Sequence, residues 1–250
     1  MNIDPKREEQ NIVSFLKKTF QEHGFEKAVI GVSGGIDSAT SLFLLSQALP
    51  KKNIIPVHLY YFEPNSSEIE MLIKTAKIPL EDVQMISIKK AVDTTAQELQ
   101  STQDKIRFGN IMARMRMIFL FDIAKKENAL VVGTENKSEH YLAYFTRFGD
   151  EASDIEPIKH LFKTQVYQLA KYLKVPQSII DKHPSAGLWE GQTDEKEFGF
   201  SYQEADQVLY LYFEKKQPLE EIKKEFKNAE RILEWVKKND YKHHTPYTLS

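Results

Sequence analysis

Lys27-Ala28-Val29-Ile30-Gly31-Val32-Ser33-Gly34-Gly35-Ile36-Asp37-Ser38 decides how this chain is read. A short apolar run enters a glycine-rich turn, and a helical pattern starts at once, with Ala39, Leu42, Phe43, Leu45 and Leu49 at apolar spacing. That order predicts strand, tight turn, helix. Paired glycines let the backbone turn sharply and let a ligand approach without meeting a Cβ. The N–H groups of such a turn, together with a helix N-terminus, form an anion site, to which Ser33 and Ser38 add hydroxyl donors. Asp37 is out of character there. Either it favours the helix dipole by about 0.3–1 kcal/mol, or it holds a cation that cancels the repulsion between carboxylate and phosphate.

Outward from this turn, strand and helix patterns alternate. Pro5 to His23 has Ile12, Phe15, Leu16 and Phe20 on one helical face. Ile54 to Tyr61 reads as a strand bounded by Pro64, followed by a helix from Ser66 to Ala76. Val83 to Ile88 is a third strand, Ala91 to Gln100 a helix, Asn110 to Lys126 a long helix, and Leu130 to Gly133 a fourth strand. Asp154 to Ile158 reads as a short fifth strand and Lys163 to Leu173 as a helix. The expectation is a doubly wound parallel α/β sheet of about five strands with helices on both faces, in one domain over residues 1–250. Residues 183–199 carry Gly, Pro and polar side chains and read as an irregular lid, and 202–239 as a helical C-terminal region. In such sheets ligands bind beyond the carboxyl ends of the strands, so the loops after the first and fourth strands should meet over one site.

Composition narrows the function. Among 250 residues the formal net charge is −2, and no basic stripe stands out, which argues against a nucleic-acid partner. No apolar run approaches a membrane span, and Met1-Asn2-Ile3-Asp4-Pro5 does not read as a signal peptide, so the expectation is a cytoplasmic protein with no membrane partner. There is no cysteine, which removes disulfides, Cys-rich metal sites and thiolate catalysis from this chain.

The first turn lacks the Gly-Lys-Ser/Thr close of a Walker loop and the glycine spacing of a dinucleotide fingerprint. It resembles the S-G-G-x-D-S loop of the ATP-pyrophosphatase superfamily, which holds the β and γ phosphates. Further strings narrow the resemblance to the NAD synthetases. Gly109-Asn110-Ile111-Met112-Ala113-Arg114-Met115-Arg116-Met117 is similar to their G-N-x-x-A-R-x-R-M, and Gly133-Thr134 with Glu139 to their G-T-x-x-x-x-E. Thr146-Arg147-Phe148-Gly149-Asp150 with Asp154, Leu161-Phe162-Lys163-Thr164, and Pro184-Ser185-Ala186-Gly187-Leu188 with Gln192-Thr193-Asp194-Glu195 follow in family order.

The resemblance implies a set of roles. Gly31, Val32, Ser33, Gly34, Gly35, Ile36, Asp37 and Ser38 would bind ATP phosphates, with Thr134, Lys163 and Ser185 also contacting ATP. Asp37 and Glu139 would hold Mg²⁺, with Asp37 and Lys163 catalytic. Asn110, Arg114, Arg147, Asp154, Tyr241 and Lys242 would face deamido-NAD (nicotinic acid adenine dinucleotide). The implied reaction is ATP-dependent amidation of that dinucleotide by ammonia through an acyl adenylate, and the implied assembly is a homodimer.

The residues allow plainer readings beside these. Arg114 could be an exposed helix charge, although its Met-rich surroundings disfavour a solvent face. Tyr144 and Phe145 could be core or could wall a flat ring. Asp37 and Glu139 would repel one another, so neutralising one is expected to relieve the fold. Arg147 stands where the family commonly has Lys, Tyr241 where it has His, and Leu59-Tyr60-Tyr61-Phe62-Glu63-Pro64 departs from the usual sequence. Two other classes share parts of the pattern. A tRNA-modifying enzyme would need a basic RNA surface, and a nucleotide sensor would not need the carboxylate pair.

Overall fold

The computed structural model describes residues 1–63, 66–189, 191–244 and 246–249. Pro64 in the departing stretch, Glu190 in the expected lid and Thr245 in the tail lie outside the described residues.

Helix α1 (Pro5–His23) starts where Asp4 accepts from the N–H groups of Lys6 and Arg7, and stops at Gly24 with φ 69°. Then come β1 (Lys27–Gly31), α2 (Ile36–Ala48), β2 (Ile54–Tyr60), α3 (Ser66–Thr75), β3 (Gln84–Ser87), α4 (Lys89–Glu98), α5 (Lys105–Glu127) and β4 (Ala129–Val132). Beyond the sheet lie α6 (Lys137–Leu142), α7 (Lys163–Tyr172), α8 (Gln177–Ile180), α9 (Asp194–Phe198) and α10 (Tyr202–Leu209). A π-turn over Tyr210–Glu214, α11 (Leu219–Glu225) and α12 (Ala229–Asn239) complete the helical C-terminal region.

The strands form one parallel sheet in the order β3-β2-β1-β4. β1 is central: Val29 registers with Ile55 on one side and Val131 on the other. Alternation sets the two faces. Ala28 and Ile30 join a core with α1, α2, α3 and α7, while Val29, Val57 and Val131 join a core with α4 and α5. A third apolar cluster lies under α6 and α10 to α12. The chain runs from β1 out to β3 and returns to the opposite side of β1 at β4, so the strand order reverses beside β1. The loops after β1 and β4 flank that crevice, which is where ligands enter such sheets.

Three expectations are corrected. The sheet has four strands, because the segment from Asp154 contributes only a single parallel bridge, Val132 to Ile155. Asp154 itself explains this: its Oδ2 accepts from Val131 N at 2.7 Å, so a side chain takes a place that a ladder bond would fill. Helix α5 begins five residues before Asn110, because Asp104 caps it by accepting from Ile106 and Arg107 N–H groups. Residues 183–199 are not wholly irregular, since α9 forms one turn there behind Thr193.

Candidate active site

The turn after β1 is built by its own side chains. Gly34 takes φ 79°, and Gly35 N donates to Ser33 Oγ at 3.2 Å. Ser38 Oγ lies 3.0 Å from Ser33 Oγ, accepts from Ser33 N and donates to Gly35 O. These bonds hold Gly31 to Ser38 as a preformed cradle at the start of α2, with Val32 and Ile36 buried beneath it. His58 Nδ1 lies 2.6 Å from Val32 O and so donates to it, pinning the exit of β1; burial lowers the pKa of this ring. Glu68 and Lys182 pair at 2.8 Å beside Gly34.

Facing the cradle is α6, with Asn136 at its N-cap. Asn136 Oδ1 accepts from Glu139 N, while Asn136 Nδ2 reaches across to Asp37 Oδ1 at 3.0 Å. The cap therefore aligns both carboxylates. Lys163, only 2 % exposed, enters from the first turn of α7. Its Nζ lies 2.5 Å from Asp37 Oδ2 and 3.0 Å from Glu139 Oε1. A lysine at a helix start is unfavourable by the dipole. Here α7 is compensated by buried Asp206, which accepts from Ser138 Oγ and from Thr164 N, while Lys163 N donates to Ser138 Oγ. Burial pushes the Glu139 carboxyl up to about 8 despite the neighbouring ammonium, and Asp37 adds to the rise. Burial also opposes charge on Lys163, but Asp37 and Glu139 outweigh it and hold the ammonium well above its ordinary value.

Two carboxylates converging on one cationic point are hard oxygen donors of the kind Mg²⁺ takes when water and phosphate complete its shell. Among the described residues no group of three or more His, Cys, Asp or Glu stands together to hold a metal with protein alone.

The loop after β4 passes over Glu156. Its Oε2 accepts from Glu135 N and its Oε1 from Ser153 Oγ. Gly133 is required at that crossing, because a Cβ there would stand 1.9 Å from Glu156 Oε1. Thr134, Glu135, Glu139, Tyr144, Phe145, Asp150 and Glu151 line a small cavity of about 60 Å³. Tyr144 and Phe145 border this space, and Tyr144 packs edge-on against Phe198 at 4.6 Å, which fits the core reading of Tyr144.

Asn110 and Arg114 lie on α5 beside the 146–150 loop: Thr146 Oγ1 donates to Asn110 Oδ1 at 2.8 Å, and Arg114 Nε to Arg147 O at 3.2 Å. The Arg147 guanidinium stacks 5.2 Å from the Tyr241 ring centre, joining two of the departures from the family pattern. Lys242 Nζ donates to Ala143 O and Phe145 O, tying the tail to the same loop. Ser185 is exposed, and its Oγ accepts from Gly187 N within its own turn. Asp154 is engaged at the sheet edge as described.

Sequence reasoning gave no role to Asn136, Asp206 or Tyr202, and named Asp194 only within the string Gln192-Thr193-Asp194-Glu195. Asn136 was legible as an N-x-x-E cap ahead of Glu139. Asp206 and Tyr202 come from a distant stretch with no local signal.

A preformed cradle of backbone N–H groups and hydroxyls over the reversal point of a parallel sheet, faced by a buried lysine between two carboxylates, defines an α/β enzyme suited to an anionic substrate and a cation. The sequence model of the NAD synthase family matches residues 8–246. The chain belongs to the NAD synthase family. An NH₃-dependent NAD⁺ synthetase from Fusobacterium nucleatum is 41 % identical over 98 % of this chain and 96 % of its own. Among solved structures, the NMN synthetase from Francisella tularensis is 36 % identical with a TM-score of 0.85, covering 99 % of both chains. The NH₃-dependent NAD synthetase from Campylobacter jejuni, in complex with the nitrate ion, is 27 % identical with a TM-score of 0.82, covering 99 % of this chain and 100 % of its own. No described helix is long and apolar enough to cross a membrane.

Proposed function

We propose that this ligase amidates nicotinic acid adenine dinucleotide with ammonia, consuming ATP and releasing AMP and pyrophosphate. The observation that carries the reading is Lys163 held between Asp37 and Glu139 beside the preformed phosphate cradle. A carboxylate resists ammonia because it is negative and has no good leaving group. Adenylation removes both obstacles. The nicotinate oxygen attacks the α-phosphorus of ATP, and the bond to the β-phosphate oxygen breaks. The cradle N–H groups and Lys163 stabilise the charge that develops on pyrophosphate. Asp37 and Glu139 would hold Mg²⁺, which supplies charge neutralisation on the phosphates. Ammonia then attacks the acyl carbon, AMP leaves with the bonding electron pair, and the nitrogen sheds a proton. Asn110, Arg114 and the 146–150 loop orient the acceptor. Bonds from Leu188 N to Gln192 Oε1 and from Asp194 N to Pro184 O hold these residues in a compact turn, which would close over the reactive ester and keep water from it.

Assembly as a homodimer through α5 belongs to the same reading. The middle of the helix, Met115 to Phe121, is apolar but for Arg116, yet Ile118 is 50 % exposed and Met117, Leu120 and Phe121 are half-buried. A second copy supplies the missing cover. A cytoplasmic location and one domain over residues 1–250 complete the reading.

A second reading, nicotinic acid mononucleotide as acceptor, is favoured by the tail. Lys242 and Asp154, expected at the dinucleotide, are engaged within the chain, and Arg147 is stacked on Tyr241. The experiment supplies each acceptor with ATP, Mg²⁺ and ammonium. NAD, AMP and pyrophosphate in equal amounts from the dinucleotide are expected; product from the mononucleotide alone would replace the first reading with the second.

A further inference from the structure

Asp194 is a buried carboxylate that the proposed reaction does not use. It sits at the start of α9, 3 % exposed, and only one of its oxygens is served: Oδ2 accepts from the Tyr202 hydroxyl at 3.1 Å. Oδ1 has no partner at full hydrogen-bond geometry; the Tyr144 hydroxyl faces this carboxylate and is likewise buried short of one. A buried carboxylate oxygen left so is costly unless something else satisfies it. The positive charge that acts on Asp194 is Lys163. The Tyr202 ring joins the two: its centre lies 5.1 Å from Lys163 Nζ, and its hydroxyl is the donor to Asp194.

Lys163 Nζ occupies the point on which Asp37 and Glu139 converge. A divalent cation drawn to that pair must compete with the ammonium, since both need the same oxygens. Until ATP brings its phosphates, a displaced ammonium in a buried site has to find another carboxylate, because an unpaired buried charge is strongly unfavourable. We propose that Asp194 is the reserve counter-ion of Lys163: when a divalent cation takes Asp37 and Glu139 ahead of ATP, the ammonium passes to Asp194, and it turns to the phosphates once ATP is bound. This rests on the reading of Asp37 and Glu139 as a metal pair. Asp194 is then a positioning residue. It stands within residues 183–199, so cation entry would also tighten that segment against the site.

The test is Mn²⁺ binding by the full-length protein, read by electron paramagnetic resonance, in wild type, D37N, D194N, K163M and the D194N/K163M pair. D194N is expected to weaken Mn²⁺ about tenfold, because the ammonium keeps its hold on the pair. K163M should bind more tightly than wild type, and adding D194N to it should change affinity by less than about twofold. Equal weakening by D194N with and without the lysine would make Asp194 a direct ligand or a through-space charge and overturn the proposal. Wild-type binding lost in D37N but indifferent to D194N would overturn the proposal and leave the metal pair standing. No binding by wild type would remove the proposal, and no binding with pyrophosphate supplied as well would remove the metal pair. Should K163M fail to fold, hydrogen exchange decides: Mn²⁺ should slow amide exchange over residues 193–199 in wild type and not in D194N. Equal protection in both would overturn the proposal.

Discussion

Lys163 Nζ lies 2.5 Å from Asp37 Oδ2, although 126 residues separate them in the chain. The ammonium stands between Asp37 and Glu139, so the two carboxylates are held together by a shared cation where the sequence suggested bare repulsion. Neutralising one of them therefore breaks a buried attraction. Asp37→Asn should destabilise the protein, by about 3 kcal/mol or less because Glu139 keeps its hold on Lys163. It should also lower kcat about a hundredfold or more. A thermal melt and turnover at saturating Mg²⁺ check both; a raised Tm or near-normal turnover would remove Asp37 from this role.

Arg114 is exposed on α5, and its side chain donates to the Arg147 backbone, so it both offers charge to an acceptor and orders the 146–150 loop. Arg114→Ala should weaken the nicotinate nucleotide about tenfold or more while ATP affinity holds, since losing a charge-assisted bond costs about 1.5–3 kcal/mol. Separate calorimetric titrations of the two ligands distinguish this from a general loss, which would weaken both alike.

Glu156 gives the fold a pH dependence. Burial pushes its carboxyl up to about 8 from an ordinary 4.5. The folded chain then binds this proton more tightly than the unfolded chain does, so its contribution to stability declines as pH rises from 4.5 through 8. Glu156→Gln keeps an acceptor for Glu135 N and cannot ionise. Melting temperatures from pH 5 to pH 8, taken without nucleotide, should fall less steeply for E156Q than for wild type after allowing for Glu139, which titrates in both. Equal slopes would show that Glu156 is ionised in the fold.

The nitrogen donor should be free ammonia. Release of ammonia from glutamine ordinarily uses a thiolate, and these 250 residues contain no cysteine. Ammonia and not ammonium carries the lone pair, so the total ammonium needed for half-maximal rate should fall as pH rises toward about 9. Rates with glutamine or ammonium chloride across that range test it; sustained synthesis from glutamine with ammonia scavenged would overturn it.

Local patterns were legible wherever neighbours in the chain are neighbours in space. The turn from Gly31 to Ser38 declares itself because its hydrogen bonds close within six residues, from Ser33 to Ser38. The cap at Asn136 and the alternation of β1 are equally local. The fifth strand was misread for a reason of the same scale: Asp154 to Ile158 has strand composition, but the Asp154 side chain takes Val131 N and leaves one bridge. The early start of α5 was missed because Asp104, a polar residue in a polar stretch, carries no apolar signal.

The sequence by itself determined the alternating α/β order, the phosphate turn and, through its ordered strings, the family. Each follows from short-range periodicity or from residues a few positions apart. Only the tertiary structure decided that Lys163 is shared between Asp37 and Glu139, that Asp206 compensates its helix, and that Asp194 is buried with one oxygen unserved. Those facts depend on α2, α6, α7, α9 and α10 meeting at one end of the sheet. The energy of a buried charge is set by everything within a few ångströms of it, and the order of residues along the chain does not encode that distance.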